Sequence, residues 1–163
     1  MITITDYTTY ADVRAVLGID DLELSDATLG LTTYASVLQR TLRGTEDPSG
    51  KSLYTYYDEL DAKPTLTDDE DTLFYLIKEF CTYTVAVACL PGLSLLVKKT
   101  ESDGKATATR FSAESTFKDV AENVTQKWTD LKNEILSSIG ATVVYNSITP
   151  LTRVAPATDV VTG

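Results

Sequence analysis

Hydrophobic residues recur at three- and four-residue spacing along most of the chain, and polar punctuation separates the runs. The longest run occupies residues 67–90. It opens Thr67-Asp68-Asp69-Glu70, a threonine three residues before a glutamate, with acids where a helix dipole is positive. Leu73, Leu76, Ile77, Phe80, Thr84 and Val87 then form a helical stripe. From Cys81 onward every side is apolar or weakly polar, which predicts that the second half is enclosed by other helices. Pro91-Gly92 is expected to stop the helix. At 1.5 Å per residue it would be about 36 Å long, enough to cross a small domain.

Other elements are arranged around it. Residues 1–5 alternate apolar and polar, as an edge strand or a simple arm would. Thr9 can cap a first helix, with Asp12 three later, Tyr10, Val13, Val16 and Leu17 on its apolar side, and Gly18 at its end. Ser25 can cap a second helix to about Arg43, with Leu24 and Leu29 as a hydrophobic staple. Its inward positions are Leu29, Tyr34, Val37, Leu38 and Leu42. Arg40 and Arg43 suit the dipole of its last turn. A loop at residues 45–52 leads to a short helix or turn carrying Tyr54, Tyr56 and Tyr57. That cluster is either an interface hot spot or a roof over the core.

After Pro91-Gly92 the pattern changes. Two arms flank Asp103-Gly104, a dipeptide that suits a type I′ turn, and predict a β-hairpin at about residues 93–111. Setting Ser102 opposite Lys105 puts Leu96 opposite Phe111 and Lys98 opposite Thr109. The apolar pair is then at the base and a polar tip at the turn. A lone hairpin is marginal, so it needs support from the domain or from a neighbour. A last helix starts between residues 112 and 116 and reaches about 139. Its narrow stripe is Phe117, Val120, Val124, Trp128, Leu131, Ile135 and Ile139, and Gly140 caps it.

Residues 141–163 differ again. Only Arg153 and Asp159 are charged, while Val143, Val144, Tyr145, Ile148, Leu151 and Val154 lie between threonines, and Pro150 and Pro156 forbid a helix through the middle. The segment is too apolar for a typical disordered terminus. It reads either as an extended arm on another molecule's surface or as a strand packing on its own domain. The fold class is therefore mainly α: a small helical bundle of about four helices over residues 1–140, a projecting β-hairpin, and an extended C-terminal interaction arm.

Composition narrows the function. The 163 residues fit one domain with one core. The formal charge of −10 opposes tight wrapping of nucleic acid. It leaves room for a passage through which DNA slides without sticking. Asp58, Glu59, Asp61, Asp68, Asp69, Glu70 and Asp71 cluster, as a solvated face with helix-capping acids would. No apolar run is expected to span a membrane, since Thr82 and Thr84 interrupt the central helix. The N-terminus carries no basic leader, so use without export is expected. Cys81 and Cys89, eight apart on one helix, read as small buried hydrophobes.

Catalytic patterns are missing from the sequence. There is no histidine, no phosphate-binding glycine loop, no Cys-x-x-Cys and no nucleophile elbow. Paired carboxylates, Asp58 with Glu59 or Asp68 to Asp71, could serve as acid and base or bind a divalent cation, but adjacent carboxylates at a helix start are explained by capping alone. The expectation is a non-enzyme without cofactor or metal.

The order of motifs resembles the head–tail connector (adaptor) proteins of tailed bacteriophages. The features carrying the resemblance are the stretch from Tyr10-Ala11-Asp12-Val13 to Leu17-Gly18-Ile19, the Glu23-Leu24-Ser25-Asp26 entry, and the tyrosine-bearing second helix. The central helix ending at Pro91, Asp103-Gly104-Lys105 with Arg110-Phe111, and the last long helix complete it over residues 6–140. The resemblance implies a homo-oligomeric ring, usually of twelve, in the virion neck between the portal protein and a downstream tail, stopper or terminator protein. DNA would pass through its lumen without specific binding, and no membrane is involved. Val143, Val144, Tyr145, Ile148, Leu151, Arg153 and Val154 would meet the portal. Lys98, Lys99, Asp103, Gly104, Lys105 and Arg110 would touch the next subunit or ring. The alternative is an acidic regulatory or inhibitory module that mimics nucleic-acid charge.

Overall fold

The computed structural model describes residues 3–102 and 114–140, with the side chains of all of these except 94–102 and 114–116. Their order is a 3-10 turn at Ile4–Asp6, then α1 Tyr10–Leu17, α2 Asp26–Leu29, α3 Thr32–Gly44, α4 Leu53–Asp61, α5 Asp68–Ser102 and α6 Glu114–Ser138. The architecture is mainly helical. Helix α5 is its axis, packing on α1, α3, α4 and most extensively on α6.

Local chemistry sets the ends of these helices. Thr9 Oγ1 accepts from the Asp12 N–H at 3.1 Å, and Ser25 Oγ accepts from Thr28 N–H at 3.3 Å. At α5 the box closes in both directions: Glu70 N–H donates to Thr67 Oγ1 and Thr67 N–H donates to Glu70 Oε2. Gly18, at φ 67°, ends α1 by donating to Ala15 O while Ile19 N–H donates to Arg14 O, a Schellman closure. Leu24 and Leu29 are both buried, as a staple at the entry to α2 requires.

The core is continuous. Ile77, Cys81, Val85, Cys89 and Leu93 form an unbroken i+4 ridge on α5, each no more than 5 % exposed. Phe80 stacks on Trp128 at 5.8 Å between centroids, and Trp128 Nε1–H donates to Thr84 Oγ1 at 2.9 Å. Thr84 in turn donates to Phe80 O, so its hydroxyl is satisfied inside the bundle. Val124, Leu131 and Ile135 supply the buried positions of α6. Both cysteines are buried and free.

Several expectations are corrected. The second helix is two helices, because the chain turns extended at Leu31 (φ −62°, ψ 137°) after Gly30. A Cβ on Gly30 would lie 3.2 Å from both Asp26 O and the Tyr10 hydroxyl, so this close crossing favours glycine. The start of the chain is a 3-10 turn that buries Ile4, in place of an edge strand or arm. The tyrosine-bearing segment, expected as a short helix or turn, is the short helix, capped by Ser52. The expected four helices become six among the described residues.

The largest correction concerns Pro91-Gly92, which lie inside α5 and do not end it. Leu93 is 5 % exposed, and its burial on the ridge holds the turn that proline weakens. Residues 93–102, expected as the first arm of a β-hairpin, are therefore helical, and no strand occurs among the described residues. The turn at Asp103-Gly104 and the second arm lie outside the described residues. So does the segment 141–163.

One helical segment, Asp68–Leu93, is long and apolar enough to cross a membrane by length and composition. This corrects the expectation that no stretch reaches that threshold. A core helix passes the same test, and the ridge from Ile77 to Leu93 is packed within the bundle.

Candidate interaction surfaces

Of the residues expected to meet other molecules, Lys98 and Lys99 fall in the last turns of α5, on helical backbone. Asp103, Gly104, Lys105 and Arg110 lie outside the described residues. So do Val143, Val144, Tyr145, Ile148, Leu151, Arg153 and Val154. Where the described chain ends, at Gly140 (φ 73°), the last core positions Ile135 and Ile139 have just been placed.

The tyrosine cluster is engaged within the subunit. Tyr57 is buried between Tyr7 and Phe74, at 4.6 and 5.2 Å between centroids, and its hydroxyl donates to Asp6 O at 2.8 Å. Burial pushes the Tyr57 hydroxyl up to about 12. Tyr56 donates to Asp47 Oδ2 at 2.7 Å and is likewise pushed up to about 12, chiefly by that bond. Tyr54 lies under the Arg43 guanidinium, 4.9 Å from its ring centroid. Roofing the core, the blander of the two readings, describes these rings.

Asp47 organises the loop before α4. Its Oδ1 accepts from Ser49 Oγ–H, Ser49 N–H and Lys51 N–H. The Ser49 and Tyr56 side-chain bonds hold its carboxyl well below the usual range. These donors occupy both oxygens, so the carboxylate orders the loop.

Among the described residues, three large apolar side chains stand out to solvent: Leu22 at 91 %, Tyr75 at 63 % and Leu31 at 52 %. Tyr75 borders a groove of about 520 Å³ between the 3-10 turn, α1 and α5, together with Asp6, Thr9, Asp12, Lys78 and Glu79. Leu22 is held out by a closed turn: Asp20 Oδ1 accepts from Leu22 and Glu23 N–H, and Glu23 Oε2 accepts from Asp20 N–H.

The acids singled out in the sequence lie on one corner, where α4 ends and α5 begins. Asp58, Glu59, Asp61, Asp68, Asp69 and Asp71 are exposed. Glu59 pairs with Lys51 at 2.6 Å, and Glu70 pairs with Lys63, which lowers its pKa. Among the described residues no group of three or more His, Cys, Asp or Glu is placed to hold a metal ion. Sequence reasoning placed the loop at residues 45–52 from its Asp-Pro-Ser-Gly turn signal but missed the Asp47 carboxylate as the group that orders it. Compared with known proteins, the chain matches no family model, no curated protein and no solved structure.

Proposed function

We propose that this chain is a structural virion protein, a head-to-tail adaptor whose copies form a ring, usually of twelve, joining the portal to the tail. It sits in the neck of the particle after synthesis in the bacterial host. DNA passes through the ring, and an acidic surface keeps phosphate from adhering. The protein acts without catalysis, cofactor or membrane.

One observation carries this reading. The helices close a continuous core by Ile139, and the chain continues for residues 141–163 with apolar side chains and only Arg153 and Asp159 charged. An apolar segment gains burial where it lies on a neighbour. The order of helix signals over residues 6–140 supports the same class. Val143, Val144, Tyr145, Ile148, Leu151, Arg153 and Val154 are assigned to the portal. Lys98, Lys99 and the Asp103-Gly104-Lys105 turn with Arg110 are assigned to the next subunit or ring.

Co-sedimentation with a portal ring tests it. The full chain should travel with the ring, and the chain truncated after Gly140 should keep its helical circular dichroism but stay in solution. Normal docking of the truncated chain would remove the role of residues 141–163. A second reading, an acidic mimic of nucleic acid, draws on the exposed corner from Asp58 to Asp71. It requires binding to a basic protein that weakens steeply with salt, whereas an apolar portal contact changes little.

A further inference from the structure

The charges that find no partner inside the subunit suggest where another copy binds. Arg14, Lys51, Lys63, Lys118 and Lys127 each have a carboxylate within ion-pair distance. Of the other described cations, Lys78 and Lys132 lie over the Phe74 and Trp128 rings, while Arg40 and Arg43, exposed on successive turns at the end of α3, make no ion pair among the described residues. With Ser36 and Gln39 they line an open depression of about 480 Å³. Stacking on Tyr54 holds the Arg43 guanidinium in place, so one of the two donors is already positioned.

The complementary pair is Asp58 and Asp61. Both are exposed in the last turn of α4, where the helix dipole is negative and carboxylates are unfavourable. No basic residue occupies that turn, and neither acid makes an ion pair among the described residues. Helix capping accounts for Asp68 to Asp71 at the start of α5. It gives no account of acids at the wrong end of α4. Arg43 stacks on Tyr54, and Asp58 and Asp61 lie about one and two turns further along α4, about 6 and 10 Å of helical rise. No ion pair joins either acid to Arg40 or Arg43 within the subunit.

We infer that Arg40 and Arg43 of one copy bind Asp58 and Asp61 of a second copy of this chain. A contact between two different patches is the kind that closes rings. The inference rests on the adaptor reading, whose subunits must touch side by side. It favours a carboxylate partner over DNA phosphate, because every copy supplies both halves and the chain as a whole carries −10.

Sedimentation velocity on the full chain decides it, at low salt and at roughly 0.5 M, where the Debye length is only a few Å. The wild type should self-associate at low salt and dissociate at high salt. Arg40→Glu/Arg43→Glu and Asp58→Lys/Asp61→Lys should each weaken association at least about tenfold. An equimolar mixture of the two should restore it. Asp58→Asn/Asp61→Asn gives a separate readout: it should associate less yet melt higher by about 1–3 °C, because the dipole no longer opposes two charges. Joint loss of association and melting temperature in that variant would mean a structural role and overturn the inference. So would a monomeric wild type at low salt, or a mixture that does not recover. An arginine variant that associates normally but loses duplex DNA would assign the patch to phosphate instead. Failure here with intact portal docking leaves the adaptor reading standing, while failure of docking by the wild type removes that reading directly.

Discussion

Replacing Pro91 with alanine should make this protein more stable. Pro91 lies well inside the 35-residue helix α5, where its ring removes a hydrogen bond and crowds the carbonyl four residues earlier. A proline in a helix interior is less favourable than alanine by about 3 kcal/mol. The substitution also frees the unfolded chain, which returns about 0.4–1 kcal/mol of that gain. The net expectation is about 2 kcal/mol. Gly92→Ala should add about 0.5–1 kcal/mol. Its φ is not positive, and no atom lies within 4 Å of an added Cβ. Together the two changes reach about 3 kcal/mol, a rise of roughly 6–12 °C in melting temperature for a chain of this size. Urea unfolding should shift its midpoint by roughly 1–3 M with an unchanged slope. The reasoning depends on α5 running through position 91. If the helix ended at Leu90 and Pro91-Gly92 formed an exit turn, both substitutions would be neutral or harmful. A double variant that melts no higher than the wild type would refute the continuous helix and bring back the hairpin arm.

Four further outcomes follow from the same packing. Gly18→Ala should lose about 1 kcal/mol in urea unfolding, the opposite sign to Gly92→Ala, because Gly18 sits at φ 67° in the closure of α1. Phe80→Ala should cost about 3–5 kcal/mol, since its ring is 0 % exposed and stacked on Trp128. Tyr75→Ala, five residues earlier on the same helix and 63 % exposed, should stay within about 0.5 kcal/mol. Alkaline pH should unfold the protein between about 10 and 12. Tyr56 and Tyr57 hold their protons more tightly folded than unfolded, so their contribution is intact below 10 and fades as pH rises to about 12. The Tyr56 and Tyr57 phenolates should appear late and together with loss of helical signal. Their titration near 10 with the fold intact would contradict that coupling.

Where a residue acts through its near neighbours in sequence, the structure could be anticipated. Thr9, Ser25, Thr67 and Gly18 do what their side chains or lack of one dictate within four residues. The stripes of α5 and α6 were likewise visible, because burial of one helical face repeats at fixed spacing. What escaped was decided by contacts across the fold. Gly30 falls inside the single helix expected from Ser25 to about Arg43, and its role shows only once the Tyr10 hydroxyl, twenty residues earlier, is found beside it. Pro91 reads as a stop until Leu93 is seen to complete a ridge that began at Ile77. In both cases local propensity was a weak prior that tertiary burial overrode. The unmatched charges belong to the same class. Arg40 and Arg43 look like ordinary cations at a helix end, and Asp58 and Asp61 like members of an acidic face. Lys78 and Lys132 likewise make no ion pair among the described residues but lie over the Phe74 and Trp128 rings, whereas Arg40 and Arg43 share one open depression on successive turns of α3. A protein with a net charge of −10 has acids to spare for any cation on its surface. Two arginines that take none of them among the described residues are therefore more informative than two that do, and the contact with a second copy is inferred from them.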